Sequence, residues 1–311
     1  MTKTAFVFPG QGSQFAGMGR DVAGQFPVAK RVFDEIDAAL EFSISQLCFE
    51  GSEEQLKLTE NTQPAILAVS SAIHAVLADR GLVKREMVAG HSLGEYSAIV
   101  SAGGLTPAAA ARIVRARGRF MQEAVPVGTG AMAALIGPSV EEVRAICEEA
   151  AQGGEIVSVA NINAPGQTVI AGSKAGVDRA IEVAQSRGVR RALPLPVSAP
   201  FHCALMQPAE QRLQPILAEA DFRDLDVPLV TNVDAAPTTD GNHVRQSLVR
   251  QVTSSVRWVE SVEQMIAGGI TRFVEIGPGS VLTGLIKRIN GEVELINISD
   301  AATLDAYLSR S

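Results

Sequence analysis

Cysteine is scarce in this 311-residue chain: Cys48, Cys147 and Cys203 are the only three. They are odd in number and far apart. That excludes a disulfide framework and a cysteine metal site, and it predicts a reducing compartment. Long apolar runs are missing too. Although 46% of the residues are hydrophobic, no stretch approaches the roughly 20 residues of a membrane span. The run at 5–8, after Lys3, is too short for the core of a secretion signal. Positive charge is in deficit: 27 Lys and Arg against 34 Asp and Glu leave a net charge of -7, which argues against nucleic acid as the main partner. No low-complexity segment occurs. The loop Gly10-Gln11-Gly12-Ser13 lacks a third glycine at Phe15, so the dinucleotide fingerprint fails. These absences leave a cytoplasmic protein with a large core, built as one domain or as one domain with a smaller insertion.

What is present alternates. Apolar runs predict strands at 4–8, 86–89, 228–232 and 272–276, with helices at 67–77 and 107–121. Thr106 and Pro107 mark the start of the second helix. Strands interleaved with helices imply an α/β fold with a mostly parallel sheet. The middle reads differently: strand 130–136, helix 139–151, strands 156–160 and 168–171 joined by a turn at 161–166, helix 175–187, and strand 189–197. This β-α-β-β-α-β order is that of a ferredoxin-like subdomain. Residues 126–198 are therefore expected to form an insertion, with 1–125 and 199–311 as the larger catalytic unit and a cleft between the two.

The strongest local signal is Gly90-His91-Ser92-Leu93-Gly94. It follows a short apolar run and precedes a stretch, 96–100, that can be helical. A serine on a sharp strand-to-helix turn is a nucleophile elbow. The flanking glycines relieve the turn, and the helix N-terminus offers N–H groups to an oxyanion. Acyl transfer through an ester on Ser92 follows as the hypothesis.

A serine nucleophile needs a base, and only four histidines exist. His74 falls inside helix 67–77 as a packing residue. His243 lies beside the polar stretch 238–242 and reads as solvated. His91 adjoins Ser92, and neighbours on a sharp turn point apart. His202, in Pro196-Val197-Ser198-Ala199-Pro200-Phe201-His202, stands where the insertion returns to the larger unit, and is the favoured base. No acid between Ser92 and His202 occupies an obvious strand-end loop, so a backbone carbonyl is the alternative partner for the ring. The Gly10–Gly12 loop reads either as a tight turn or as a source of one oxyanion donor.

Arg117 is the second clue. On the 107–121 helix it shares one face with Ala110, Ile113, Val114 and Met121, whereas Arg112, Arg115 and Arg119 lie off that face. An inward guanidinium is costly unless paired. Either a protein carboxylate neutralises it, or it awaits a substrate carboxylate, which a planar fork binds in bidentate fashion.

Taken together, these segments resemble the malonyl-CoA:acyl carrier protein transacylase family. The likeness runs through Phe8-Pro9-Gly10-Gln11-Gly12-Ser13-Gln14, Gly90-His91-Ser92-Leu93-Gly94-Glu95-Tyr96, Arg117-Gly118, Asn163-Ala164-Pro165-Gly166-Gln167, Pro200-Phe201-His202-Cys203, Arg250-Gln251 and Gly277-Pro278-Gly279. The resemblance implies an α/β-hydrolase-like core. It implies Ser92 as the acylated residue, His202 as the base and the Gln251 carbonyl as its orienter. The N–H groups of Gln11 and Leu93 would form the oxyanion hole, and Arg117 would hold the malonyl carboxylate. Phe201, Asn163 and His91 would line the substrate pocket, with Phe201 favouring malonyl over methylmalonyl. It further implies malonyl-CoA and the phosphopantetheinylated acyl carrier protein as substrates, no cofactor, no metal and a monomer. Docking of an acidic carrier calls for a local basic patch, with Arg190, Arg191, Lys287 and Arg288 as candidates. A serine thioesterase, a transacylase serving a polyketide synthase or a malonate decarboxylase, and a non-catalytic carrier-binding subunit are the rival readings.

Overall fold

The computed structural model describes residues 2–197 and 199–309. Ser198, the expected end of the insertion, lies outside the described residues. The strands are β1 (Thr4–Phe8), β2 (Met87–Gly90), β3 (Gly130–Ile136), β4 (Val157–Ala164), β5 (Gln167–Ser173), β6 (Arg191–Pro194), β7 (Leu229–Val230), β8 (Pro237–Thr238), β9 (Arg272–Ile276) and β10 (Glu294–Ile298). They form two sheets, one in the order β10-β9-β1-β2-β7-β8 and one in the order β4-β5-β3-β6. The first is parallel except where β8 runs antiparallel to β7. The second is antiparallel throughout.

β1 is an interior strand of the larger sheet, and all five of its residues are buried. A parallel strand covered on both faces must be apolar on both. Phe6 and Phe8 pack into the core that includes helix Thr59–Asp79, whereas Ala5 and Val7 face the opposite layer, with Trp258 and Phe273. The rings of Phe6 and Phe8 stand edge-on to His74, at 6.4 and 6.5 Å between centroids, in keeping with a packing role for that histidine. The smaller sheet has its own core, formed with helices Val140–Ala150 and Lys174–Ser186. Both helices start at a serine cap: Ser139 closes a capping box with Glu142, and Ser173 accepts from the Gly176 N–H.

Several expected boundaries move. Helix 67–77 is the apolar half of Thr59–Asp79, whose first turns bury the polar Thr59, Thr62 and Gln63. Burial of polar residues hides a helix from a reading based on apolar spacing. The turn expected at 161–166 shrinks to Pro165-Gly166, because β4 continues to Ala164. Its extension is held by Val256, which bonds the Ala160 carbonyl and the Ile162 N–H at 2.9 Å each. The strand expected at 189–197 is only Arg191–Pro194, since Pro194 and Pro196 supply no N–H to a ladder. The strand expected at 228–232 keeps only Leu229–Val230, and Asn232 is freed for the site.

Candidate active site

Ser92 follows β2 at the head of helix Gly94–Ser101. Its φ is +50°, a conformation rare outside glycine. The flanking glycines are required by space. A Cβ on Gly90 would lie 2.0 Å from the Gly94 carbonyl oxygen, and one on Gly94 would lie 2.0 Å from that of Phe8. Asn232, just past β7, clamps the elbow: its Oδ1 accepts from the Ser92 N–H at 2.7 Å and its Nδ2 donates to the Gly90 carbonyl at 2.6 Å.

Ser92 Oγ lies 2.7 Å from Nε2 of His202. His202 is fully enclosed and also has a positive φ, +60°. Its Nδ1 lies 2.8 Å from the Gln251 carbonyl. A carbonyl only accepts, so the ring proton sits on Nδ1 and the lone pair on Nε2 faces the serine. Burial first, and the Arg117 charge second, push the His202 pKa down to about 3. The ring is therefore neutral at neutral pH, the form a base needs.

Arg117 is 1% exposed. Its helix, Pro107–Glu123, begins as expected, with Thr106 Oγ1 accepting from the Ala109 N–H and Pro107 at the first position. Nη1 donates to Gln63 Oε1 at 2.7 Å; Nη2 donates to Gln251 Oε1 at 2.9 Å and to Ser92 Oγ at 3.2 Å. No carboxylate among the described residues forms an ion pair with it, and its Nε has no partner there. Of the two readings open in the sequence, direct pairing with a carboxylate is not what the structure shows: Glu95 stands one amide away, beyond Gln251.

The remaining candidates converge on one cleft of about 220 Å³, lined by Gln11, His91, Ser92, Leu93, Arg117, Asn163, Phe201 and His202 among others. Gln251 stands behind them, fully buried. The Gly10 loop reaches the elbow because a glycine is there: a Cβ on Gly10 would meet the His91 carbonyl oxygen at 2.4 Å. His91 turns away from the serine, donates to Asn163 Oδ1 at 2.8 Å and rests against Trp258. Burial lowers its pKa as well. His243 is exposed and 3.2 Å from Asp234. The thiol of Cys203, beside the base, is pushed up by burial to about 11 and is no rival nucleophile.

Three site residues escaped the sequence reading. Gln63 and Glu95 are polar side chains on inward helix faces, the same signal that exposed Arg117. Asn232 carried no signal, since its partners lie 140 and 142 residues away.

A serine, a neutral histidine and a buried guanidinium with no direct carboxylate partner, within one cleft, point to an acyl transferase. The chain belongs to the acyl transferase domain family, whose model matches residues 5–304. Within that family it belongs with the malonyl CoA-acyl carrier protein transacylases. It is 47% identical over 305 residues to the one from Bacillus subtilis (strain 168), covering 98% of this chain and 96% of the relative. An acyl carrier protein S-malonyltransferase from Vibrio cholerae superposes with a TM-score of 0.95 at 49% identity, over 98% of this chain and 100% of that one. A malonyl-transacylase in complex with its type II PKS acyl-carrier protein gives 0.96 at 46% identity, over 100% of both chains. No helix among the described residues is long and apolar enough to cross a membrane.

Proposed function

We propose that this chain moves a malonyl group from malonyl-CoA to the phosphopantetheine thiol of acyl carrier protein, by way of a malonyl ester on Ser92, for fatty acid biosynthesis. The observation that carries the reading is the placement of Ser92 Oγ between His202 Nε2 at 2.7 Å and Arg117 Nη2 at 3.2 Å.

In the first half-reaction His202 Nε2 takes the Ser92 proton as Oγ attacks the thioester carbon. The resulting oxyanion is held by the N–H groups of Gln11 and Leu93. The C–S bond then breaks, and the His202 proton passes to the departing CoA sulfur. In the second half His202 deprotonates the carrier thiol, whose sulfur attacks the malonyl ester, and the proton returns to Ser92. Arg117 grips the free carboxylate throughout, a role supported by its place in the lining of the same cleft as Ser92. Phe201, buried at the cleft wall, crowds the α-carbon. No cofactor beyond the two substrates takes part.

The larger sheet and its helices act as an α/β-hydrolase-like unit, 1–125 with 199–311. Residues 126–198 act as a ferredoxin-like insertion, a reading supported by the antiparallel order β4-β5-β3-β6 of its consecutive β-α-β-β-α-β elements. We further propose a cytoplasmic monomer that docks its carrier through Arg190, Arg191, Lys287 and Arg288. All four are exposed, and Arg288 also donates to the Pro165 carbonyl and to Gln167, a cleft residue.

Labelled malonyl-CoA tests the reading. Label should be trapped on Ser92, absent in Ser92→Ala, and move to fatty acid acyl carrier protein when that is added. Free malonate released at a rate independent of carrier would instead mean a thioesterase. Transfer only to a polyketide carrier would move the enzyme to that pathway, a possibility kept open by the PKS carrier bound to the 46%-identical relative.

A further inference from the structure

We propose that Glu95 is a positioning residue for substrate selection: through the Gln251 amide it fixes how Arg117 is presented to the acyl carboxylate. The proposal rests on the malonyl-transfer reading of the site.

Glu95 lies in the first turn of the elbow helix and is 1% exposed. Its Oε2 accepts from Gln251 Nε2 at 2.7 Å and from the Asn232 N–H at 3.2 Å. The other end of the same amide, Gln251 Oε1, accepts from Arg117 Nη2 at 2.9 Å. An ionised carboxylate only accepts and a guanidinium only donates. With one on each side, the amide has a single satisfied orientation: NH₂ towards Glu95, oxygen towards Arg117. Turning it over would set oxygen against carboxylate and N–H against N–H. The Ser92 carbonyl at 3.0 Å and Asn232 Oδ1 at 3.4 Å favour the same orientation, but Glu95 is the charged acceptor, and charge-assisted bonds are the stronger ones.

The amide is also a spacer. A carboxylate directly against Arg117 would occupy the donors that a substrate needs. One amide away, Glu95 offsets part of the buried positive charge without itself bonding the guanidinium. The arrangement holds at a cost, since Glu95 Oε1 is buried without a partner among the described residues. A further consequence is pH dependence. The charged and titratable groups that act on Glu95 are Arg117, Asp234, Tyr96 and Arg250. Burial outweighs them and raises the Glu95 pKa to about 7. Once protonated, Glu95 can donate as well as accept, and the amide loses its fixed sense.

Steady-state kinetics with malonyl-CoA and acetyl-CoA, on acid and alkaline sides of neutrality, test the proposal. Glu95→Gln should raise the malonyl-CoA KM about tenfold and lower the malonyl-to-acetyl preference by a similar factor, with a smaller effect on malonyl kcat. Wild-type preference should weaken as pH falls through neutrality, and that dependence should vanish in Glu95→Gln. Glu95→Asp should restore part of the preference. In an Arg117→Ala background, Glu95→Gln should change the preference no further. An unchanged ratio, or an equal loss for both acyl groups, overturns the proposal. If thermal melts show neither variant folded, the wild-type profile decides, and a preference flat through neutrality overturns it. Failure of the wild type to load malonyl on Ser92 would instead sink the functional reading.

Discussion

At the scale of single residues, Arg117 is, on the proposed reading, the selector of what the serine accepts. Its direct partners are two glutamine oxygens and one hydroxyl, none of them a carboxylate. Replacing it by alanine should cut the preference for malonyl over acetyl by roughly 10- to 100-fold, the worth of one charged hydrogen-bonded contact. Competition between the two labelled thioesters measures this. Phe201→Ser should raise methylmalonyl loading relative to malonyl, read by the same competition; an unchanged ratio removes Phe201 from selection. His202 adds a pH dependence of stability. Its native pKa of about 3 lies below its ordinary 6.5. Between those values the unfolded chain holds the extra proton, so this histidine's contribution is full above 6.5 and is lost as pH falls towards 3. His202→Gln should therefore flatten the acid loss of stability relative to wild type, as followed by urea midpoints over that range.

At the scale of elements, the elbow is a contact between β1, β2 and the helix after Ser92. Gly94→Ala would press a methyl group onto the Phe8 carbonyl in the sheet, at 2.0 Å. A loss of about 3 kcal/mol or more is expected, since backbone cannot yield as a flexible side chain does. Chemical denaturation checks it. Much of this level was legible beforehand. β1, β3 and β9 fall where apolar runs place them, and the Thr106-Pro107 and Ser139 caps begin their helices. Local chemistry governs those features. β4 is misread from sequence because a distant partner holds it: it runs on through Asn161 and Asn163 because Val256 pairs its edge, and a local reading hears two asparagines as a turn.

At the scale of the whole molecule, the cleft lies between the two sheets and draws on both: Ser92 and Arg117 from one side, Asn163 and Val169 from the other. Arg288 bridges them by donating to the Pro165–Gln167 turn. If the exposed basic residues dock an acidic carrier, reversing Arg191 and Lys287 to glutamate should raise the carrier KM about tenfold and leave malonyl loading of Ser92 unchanged. Stopped-flow loading and steady-state transfer separate the two.

The sequence alone determined the chemistry on offer. A serine between glycines, an arginine on an apolar helix face and one unspent histidine are properties of neighbours along the chain or of helical spacing. Only the tertiary structure decided how they work together. It brought the His202 ring to within 2.7 Å of a hydroxyl 110 residues away. It gave that ring a backbone carbonyl in place of an acid. It set an amide, not a carboxylate, against the guanidinium. Hydrogen-bond geometry and burial act through space, and no spacing in a linear chain records which distant groups will share a dry cleft.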